Sequence, residues 1–400
     1  MIFRVRVYNN KSQDETKLKE GDNLRYLFFL VIASIFFGTS AGINIFNFSI
    51  YLSEYNLGPA SISHILGFDL RGNILIAPFV LLLTTRLGVF NLIILSLFVR
   101  NIALALFALS SSEFEWKTSL LLFGMGGFCL YVALFQWINN LAKNEHRATY
   151  LSFASVAFGF GISLGPIITI FYGVELENDA FIISILISTL MIFPIYLARK
   201  SKPKQIKQTK ILVSKIIKFA YLPLICAFAS EYVFYTIAEF LPLYSLKLGM
   251  EKNQAYMLSA FFTFSGLIFG IPLGMIIDRV NRSKIIILFA LAISISAQLI
   301  PVVINNILLT GIVFIILSSS INGIIIGGLA ILGDRFKGDD FVAANSTLHA
   351  LSTIGGFAGI TITGNAMEKL GNKGFIFSIS SLFLVFLALI IFEAYKYKKY

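Results

Sequence analysis

Charge is scarce in this chain. Only 13% of its 400 residues are Asp, Glu, Lys or Arg, where soluble domains carry about 25%. With 57% of the residues hydrophobic, no water-solvated fold would hide the apolar surface, so the solvent must be lipid. Cysteine is almost missing. Cys129 and Cys226 both fall inside apolar runs, which excludes a disulfide framework and offers no metal spacing. His64, His146 and His349 are scattered and form no metal set. No phosphate-cradling G-x-x-x-x-G-K-[ST] occurs, which argues against ATP drive by this chain. Gly161-x-Ser163-x-Gly165 has the spacing of a nucleophile elbow. It sits inside an apolar run with no strand before it and no His/Asp arrangement to serve it. The chain is therefore expected not to be an enzyme and to need neither cofactor nor metal. Residues 1–23 are polar and mixed in charge, and the first apolar run is too long for a signal h-region, so it is expected to stay as a span. The ~10-residue alternating segments of a β-barrel are also missing.

What is present is length without charge. Twelve apolar runs cover 24–53, 60–84, 90–110, 118–142, 149–172, 180–198, 219–246, 255–277, 285–304, 307–333, 342–367 and 375–394. About 20 apolar residues cross a bilayer as a helix, and backbone amides in lipid need partners within their own segment. The expected fold is an all-α membrane protein with twelve transmembrane helices. Basic residues collect in every second gap. With both termini on the cytoplasmic side, 25 of the 32 Lys and Arg face inward and five face outward. Such a split is the positive-inside signature. The excess of +11 is thereby explained by topology and by attraction to anionic membrane lipid, with no need of nucleic acid.

The one long inner linker, from Ala198 to Lys218, divides the spans six and six. Its second part, Ile206 to Lys218, fits a short amphipathic surface helix and fits a solvated linker equally well. The expected organisation is a cytoplasmic tail at 1–23, a six-helix bundle at 24–198, a basic linker at 199–218, a second bundle at 219–394 and a tail at 395–400. The halves repeat. A shift of 194 aligns Lys143-Asn-Glu with Lys337-Gly-Asp and Gly161-x-x-x-Gly165 with Gly355-x-x-x-Gly359, and a shift of 193 lands Arg86 on Arg279. Parallel repeats with an even span count are how many secondary transporters are built, with a site between the halves near the midplane.

At this point the residues resemble a family. Gly274-Met-Ile-Ile-Asp278-Arg279-Val-Asn-Arg282 is similar to the G-x-x-x-D-R-x-x-R loop of the major facilitator superfamily, and Gly161-Ile-Ser-Leu-Gly165-Pro166 to the G-x-x-x-G-P of its fifth helix. The resemblance covers residues 24–394. "GGFCLYVALFQWINNLAKNEHRATYLSF" and "GDRFKGDDFVAANSTLHAL" resemble a bacterial branch labelled YcaD-like. The resemblance implies two pseudosymmetric six-helix bundles, a monomer in the bacterial inner membrane, and a central site lined by spans 1, 4, 7 and 10. It also implies a latch at the inner gate formed by Asp278, Arg279 and Arg282, with topology charge alone as the other reading. Two departures stand out. Thr85 and Leu81 replace the Asp and Gly of the first-half loop, and Phe123 stands where many proton-driven members carry an Arg on the fourth helix.

Charges inside a bilayer are costly, about 2.5–3.5 kcal/mol each on insertion scales, and mark function. Asp69 and Arg71 lie in the second run, Arg100 in the third, Glu231 and Glu239 in the seventh. Counting from the span ends places Asp69 and Arg100 both roughly 14 Å deep, so they are expected to pair, either as a structural ion pair or as part of transport. Arg71 points to another face and is a candidate for the central cavity. Glu231, Tyr235 and Glu239 share one helix face. A carboxyl held out of water favours its neutral form and releases its proton when hydrated. Glu231 is thus the first candidate for proton coupling or for a cationic substrate, with a hydrogen-bonded structural Glu as the alternative. Glu239, nearer the outer surface, suits a gate or an interface. Asn44 and Asn47 in the first run, Gln136 and Asn140 in the fourth and Asn322 in the tenth suit either a polar site or interhelical hydrogen bonding. Gly161, Gly165 and Pro166 permit close helix contact; in the resembled family this motif goes with antiporters. The leading expectation is a secondary transporter of a small solute, with proton-coupled efflux ahead of uptake or facilitated diffusion. A non-transporting sensor or assembly protein on the same scaffold is the reading from another class.

Overall fold

The computed structural model describes residues 20–141, 147–172, 178–203, 213–277, 280, 282–336 and 338–397. Among these residues the elements are helical throughout. In chain order they are α1 (Glu20–Glu54), α2 (Pro59–Leu87), α3 (Val89–Leu109), α4 (Glu113–Leu141), α5 (Arg147–Phe171), α6 (Asp179–Leu190) and α7 (Ile192–Ala198). A 3-10 turn η1 (Arg199–Ser201) follows, then α8 (Val213–Lys247), α9 (Lys252–Ile277), α10 (Arg282–Val303), α11 (Ile307–Arg335), α12 (Gly338–Leu370) and α13 (Lys373–Tyr397). Helices α6 and α7 form one span that breaks at Met191, three residues before Pro194. The twelve spans fall where the apolar runs do. Nine of them are long and apolar enough to cross a membrane, counted over the described residues.

Local chemistry sets the helix ends. Asn306 caps α11, its side-chain oxygen accepting from the N–H groups of Leu308 and Leu309 at 3.2 Å each. Ser112 and Glu115 form a reciprocal capping box at the start of α4: the Glu115 carboxylate accepts from Ser112 N at 3.3 Å, and Ser112 Oγ accepts from Glu115 N at 3.4 Å. At the end of α8, Gly249 takes φ +83°, a left-handed conformation that closes the helix without a Cβ clash. Helix α8 is kinked at Ala220, with φ −121° and ψ 16°. Pro223 lies just beyond; its ring clashes with the carbonyl four residues back and gives that turn no N–H. The amphipathic segment expected from Ile206 lies outside the described residues as far as 212. From Val213 its backbone runs into α8.

By packing the chain divides into two units, 1–44 with 68–210, and 45–67 with 211–400. In the first unit α3 packs along α4, and α1 meets α5 through glycine. A Cβ at Gly38 would collide with Phe158 O, one at Gly42 with Ile162 O, and one at Gly161 with Ile35 O. Gly72 and Gly124 let α2 and α4 approach just as closely. Buried side chains from α1, α3, α4 and α7 fill the core, including Leu30, Ile93, Leu130 and Ile195. Trp137, fully buried, donates from Nε1 to Ser201 O and to Ser201 Oγ at 3.2 Å each, which ties η1 to α4.

In the second unit α8 lies along α12, with Gly355 against Phe228 O and Gly359 against Tyr232 O. The segment 45–67 also packs here, against α9 and α12. Tyr256 Oη donates to Asn47 Oδ1 at 2.6 Å, Lys252 Nζ meets Glu54 Oε1 at 2.6 Å, and Ala60 N donates to Glu368 Oε2 at 3.3 Å.

Candidate substrate and coupling site

The first unit surrounds a guanidinium with aromatic rings and hydroxyls. Arg100 on α3 is 1% exposed. Its Nη1 donates to Ser40 Oγ on α1 at 2.8 Å. Its guanidinium carbon lies 4.5 Å from the Phe123 ring centre and 5.5 Å from that of Phe37, a cation–π arrangement in a desolvated setting. Ser184 on α6 donates to Ser40 O at 3.2 Å, which leaves Ser40 Oγ as donor of the 2.7 Å bond between the two hydroxyls. Asp69, half-buried on α2 beside Gly124, is the charge that acts on Arg100, and Arg100 on it. The place where the resembled family carries an Arg on its fourth helix is thus filled by Phe123 with an arginine from α3 laid on its ring. Arg71 is half-buried with its guanidinium carbon 4.4 Å from the Phe68 ring centre.

Of the asparagine pair on α1, one is engaged among the described residues. Asn47 accepts from Tyr256. Asn44 is 1% exposed, and neither its Oδ1 nor its Nδ2 has a hydrogen-bond partner among the described residues. An amide stripped of water and left unbonded costs on the order of 1–3 kcal/mol. On α4, Gln136 is half-buried, and Asn140 is exposed with its Nδ2 bonded to the Gln136 carbonyl at 2.8 Å.

In the second unit Glu231 is half-buried near the middle of α8. It makes no hydrogen bond or ion pair among the described residues. Tyr235, one turn on, is half-buried with its ring perpendicular to Phe234 at 5.7 Å. Glu239 is 3% exposed. Asn322 on α11 faces Gly266 of α9, beside Ser318. A chain of hydroxyls crosses α8, α12 and α13: Thr236 Oγ1 bonds Thr363 Oγ1 at 3.0 Å, Thr363 donates to Ser378 Oγ at 2.9 Å, and Ser378 donates to Phe375 O at 2.9 Å.

In the loop motif Gly274 belongs to α9, while Asp278 and Arg279 lie outside the described residues. Arg282 pairs with Asp334 of α11 and donates to Ala330 O at 3.2 Å. Gly161 and Gly165 make the α1–α5 contact, and Pro166 lies buried within an unbroken α5. Among the described residues no group of three His, Cys, Asp or Glu could hold a metal ion.

Sequence reasoning passed over Ser184, Ser378, Thr236 and Thr363, because hydroxyls in an apolar run carry no periodic signal. The repeat held one: the shift of 194 carries Ser184 onto Ser378.

Comparison with known proteins bears on the whole chain. An uncharacterized MFS-type transporter of Bacillus subtilis (strain 168), YfkF, is 22% identical over 226 residues, 55% of this chain and 58% of that protein. The chain thus spans little more than half the length of that curated relative. The crystal structure of a point mutant of the nucleoside transporter NupG superposes with TM-score 0.75 at 12% identity, covering 94% of this chain and 99% of that one. That of a D-xylose-proton symporter superposes with TM-score 0.74 at 12% identity, covering 92% and 97%. At such identities the structures speak for the fold alone. The sequence profile of the Major Facilitator Superfamily matches residues 30–262 and 223–399, and the chain belongs to that family.

Proposed function

We propose that this protein is a secondary transporter that moves a small polar solute across the bacterial cytoplasmic membrane by alternating access, with Glu231 as the site of a proton or cation. The six-helix bundles at 24–198 and 219–394 would be its moving parts, both termini would be cytoplasmic, and the monomer would be the working form. The observation that carries this reading is the state of Glu231. A carboxyl half-buried at mid-span, with no hydrogen bond or ion pair among the described residues, has no packing reason to be there. Insertion scales set about 2.5–3.5 kcal/mol against such a group, and transport is the use that offsets that cost. Asn44, with both amide atoms unbonded, is the candidate for a solute's own donor and acceptor. Gly161, Gly165 and Pro166 favour efflux by antiport as the direction.

A second reading has its own support. With Phe123 in place of the fourth-helix Arg, the chain lacks one part of a proton-driven cycle, which favours uptake or facilitated diffusion of a metabolite. Flux into proteoliposomes with and without an imposed pH gradient separates the two. Gradient-dependent flux that Glu231→Gln abolishes, while Asn44→Ala raises the half-saturating solute concentration, is the expected result. Flux of equal size with no gradient, and equal in Glu231→Gln, would move the protein to the second reading. No flux across a broad solute panel would leave a non-transporting sensor or assembly role.

A further inference from the structure

Two helix ends of the first unit flank an open crevice of about 200 Å³. Arg25, Tyr26 and Phe29 of α1 form one wall, Tyr196 of α7 with Arg199 and Lys200 of η1 the other, and no carboxylate lines it among the described residues. It is smaller than the about 300–1,000 Å³ of sites for drug-sized ligands. Three exposed cations therefore line a space that suits a head group. None of the three makes an ion pair among the described residues. The arginines are not loose. The guanidinium carbon of Arg25 lies 5.7 Å from the Phe29 ring centre, and that of Arg199 lies 3.7 Å from that of Tyr196. A guanidinium held over a ring by its π face still has N–H groups to offer an acceptor. The turn that carries Arg199 and Lys200 is held by the two Trp137–Ser201 bonds.

We propose that this crevice binds the phosphodiester of an anionic phospholipid. The surroundings decide for a lipid over a dissolved anion. Both walls lie where apolar spans end, at Leu24 and at Ser201. Large apolar side chains stand exposed beside it on the same helices: Leu24 and Phe28 are each 61% exposed and Phe193 69%. Acyl chains would lie along these while the phosphate meets the cations. Charges placed for topology alone need neither a cavity, nor ring platforms, nor an anchored turn.

The test is a titration of the full-length protein in neutral detergent with phosphatidylglycerol, counting bound lipids by native mass spectrometry. Phosphatidylcholine and inorganic phosphate serve as separate arms. Arg25→Gln, Arg199→Gln and Lys200→Gln should each weaken phosphatidylglycerol binding about five-fold. Lys373→Gln, at the start of α13, should leave it unchanged. Arg199→Lys, which keeps the charge and loses the planar fork, should weaken it by less than Arg199→Gln; because it preserves charge, it also guards against a variant that merely folds poorly. Equal binding of phosphatidylcholine, equal loss in Lys373→Gln, or displacement of the lipid by millimolar inorganic phosphate would each overturn the proposal.

Discussion

The repeat lets one half of the chain serve as a control for the other. A shift of 193 carries α1, with both its ends, onto α8, and α3 onto α10; a shift of 194 carries α4 onto α11. Under the same shifts Asp69 lands on Phe262, Arg100 on Ile293 and Phe123 on Leu317. All three counterparts are buried, at 1%, 0% and 0% exposure. Phe262 packs between Phe234 and Phe314, with ring centres at 6.0 and 6.3 Å. One unit thus sets a half-buried Asp69 and a buried Arg100 at its α2–α3–α4 junction, and the other closes the equivalent junction with hydrocarbon. The helix arrangement does not require charge there. Buried ion pairs are weak evidence of stability, because desolvation opposes their attraction, whereas breaking one strands a charge.

That contrast breaks if the two charges do not balance each other. Removing one partner, by Asp69→Asn or Arg100→Gln, should destabilise the protein by about 3–5 kcal/mol, read as a lower unfolding midpoint in mixed-micelle denaturation. The double substitution Asp69→Asn/Arg100→Gln should cost less than either single one. A double variant no better tolerated than the singles would show that Arg100 is held by Ser40, Phe37 and Phe123 without help from Asp69. The corresponding Phe262→Leu in the second unit should follow ordinary core behaviour, with a loss near 1 kcal/mol.

The same register exposes a second contrast, at the first helix of each half. Gly38 and Gly42 of α1 fall on Glu231 and Tyr235 of α8. In the first unit these places lie against the α5 backbone. In the second unit the close approach of α8 and α12 rests on Gly355 and Gly359 of α12. The α8 positions are thereby free to carry large polar side chains. Gly38→Ala and Gly161→Ala should each cost about 1–3 kcal/mol through overpacking, as should Gly355→Ala. Losses confined to the first unit would mean that α8 and α12 can separate where α1 and α5 cannot. The measurement is again the unfolding midpoint, with helicity by circular dichroism as the check on folding.

How much of this was legible in the sequence follows from what carries a signal. Span number and position were legible, since twelve apolar runs separated by polar gaps leave membrane helices no other place. The break between α6 and α7 was not, because Pro194 sits in a run that reads as one span from 180 to 198. Charges at depth were legible one by one. Counting residues can place Asp69 and Arg100 at a common level, but it does not reveal that Phe37 and Phe123 would enclose the guanidinium. Asn44 and Asn47 look alike in sequence, three residues apart on one helix. Only the fold gives Asn47 a tyrosine from α9 and leaves Asn44 with no partner among the described residues. Which faces meet is a property of packing, and one unaligned sequence does not contain it.

The smallest effect sharpens the comparison most, because it concerns identical residues. Ser184 and Ser378 occupy the same place in the repeat, both fully buried, both bonded to neighbouring hydroxyls. Their neighbourhoods differ in charge. Ser184 accepts the Ser40 hydroxyl proton, which turns a Ser40 lone pair toward Arg100 Nη1. Ser378 accepts from Thr363, whose other partner is the neutral Thr236. A neutral hydrogen bond contributes about 1 kcal/mol net, and one to a charged group about 1.5–3. Ser378→Ala should therefore cost near 1 kcal/mol, and Ser184→Ala more, since it also loosens the acceptor that Arg100 uses. In Arg100→Gln the excess should vanish, leaving the two serine substitutions equal. If they are already equal in the unmodified protein, the hydroxyl pair on α1 and α6 is packing alone, and the guanidinium is held by its aromatic rings.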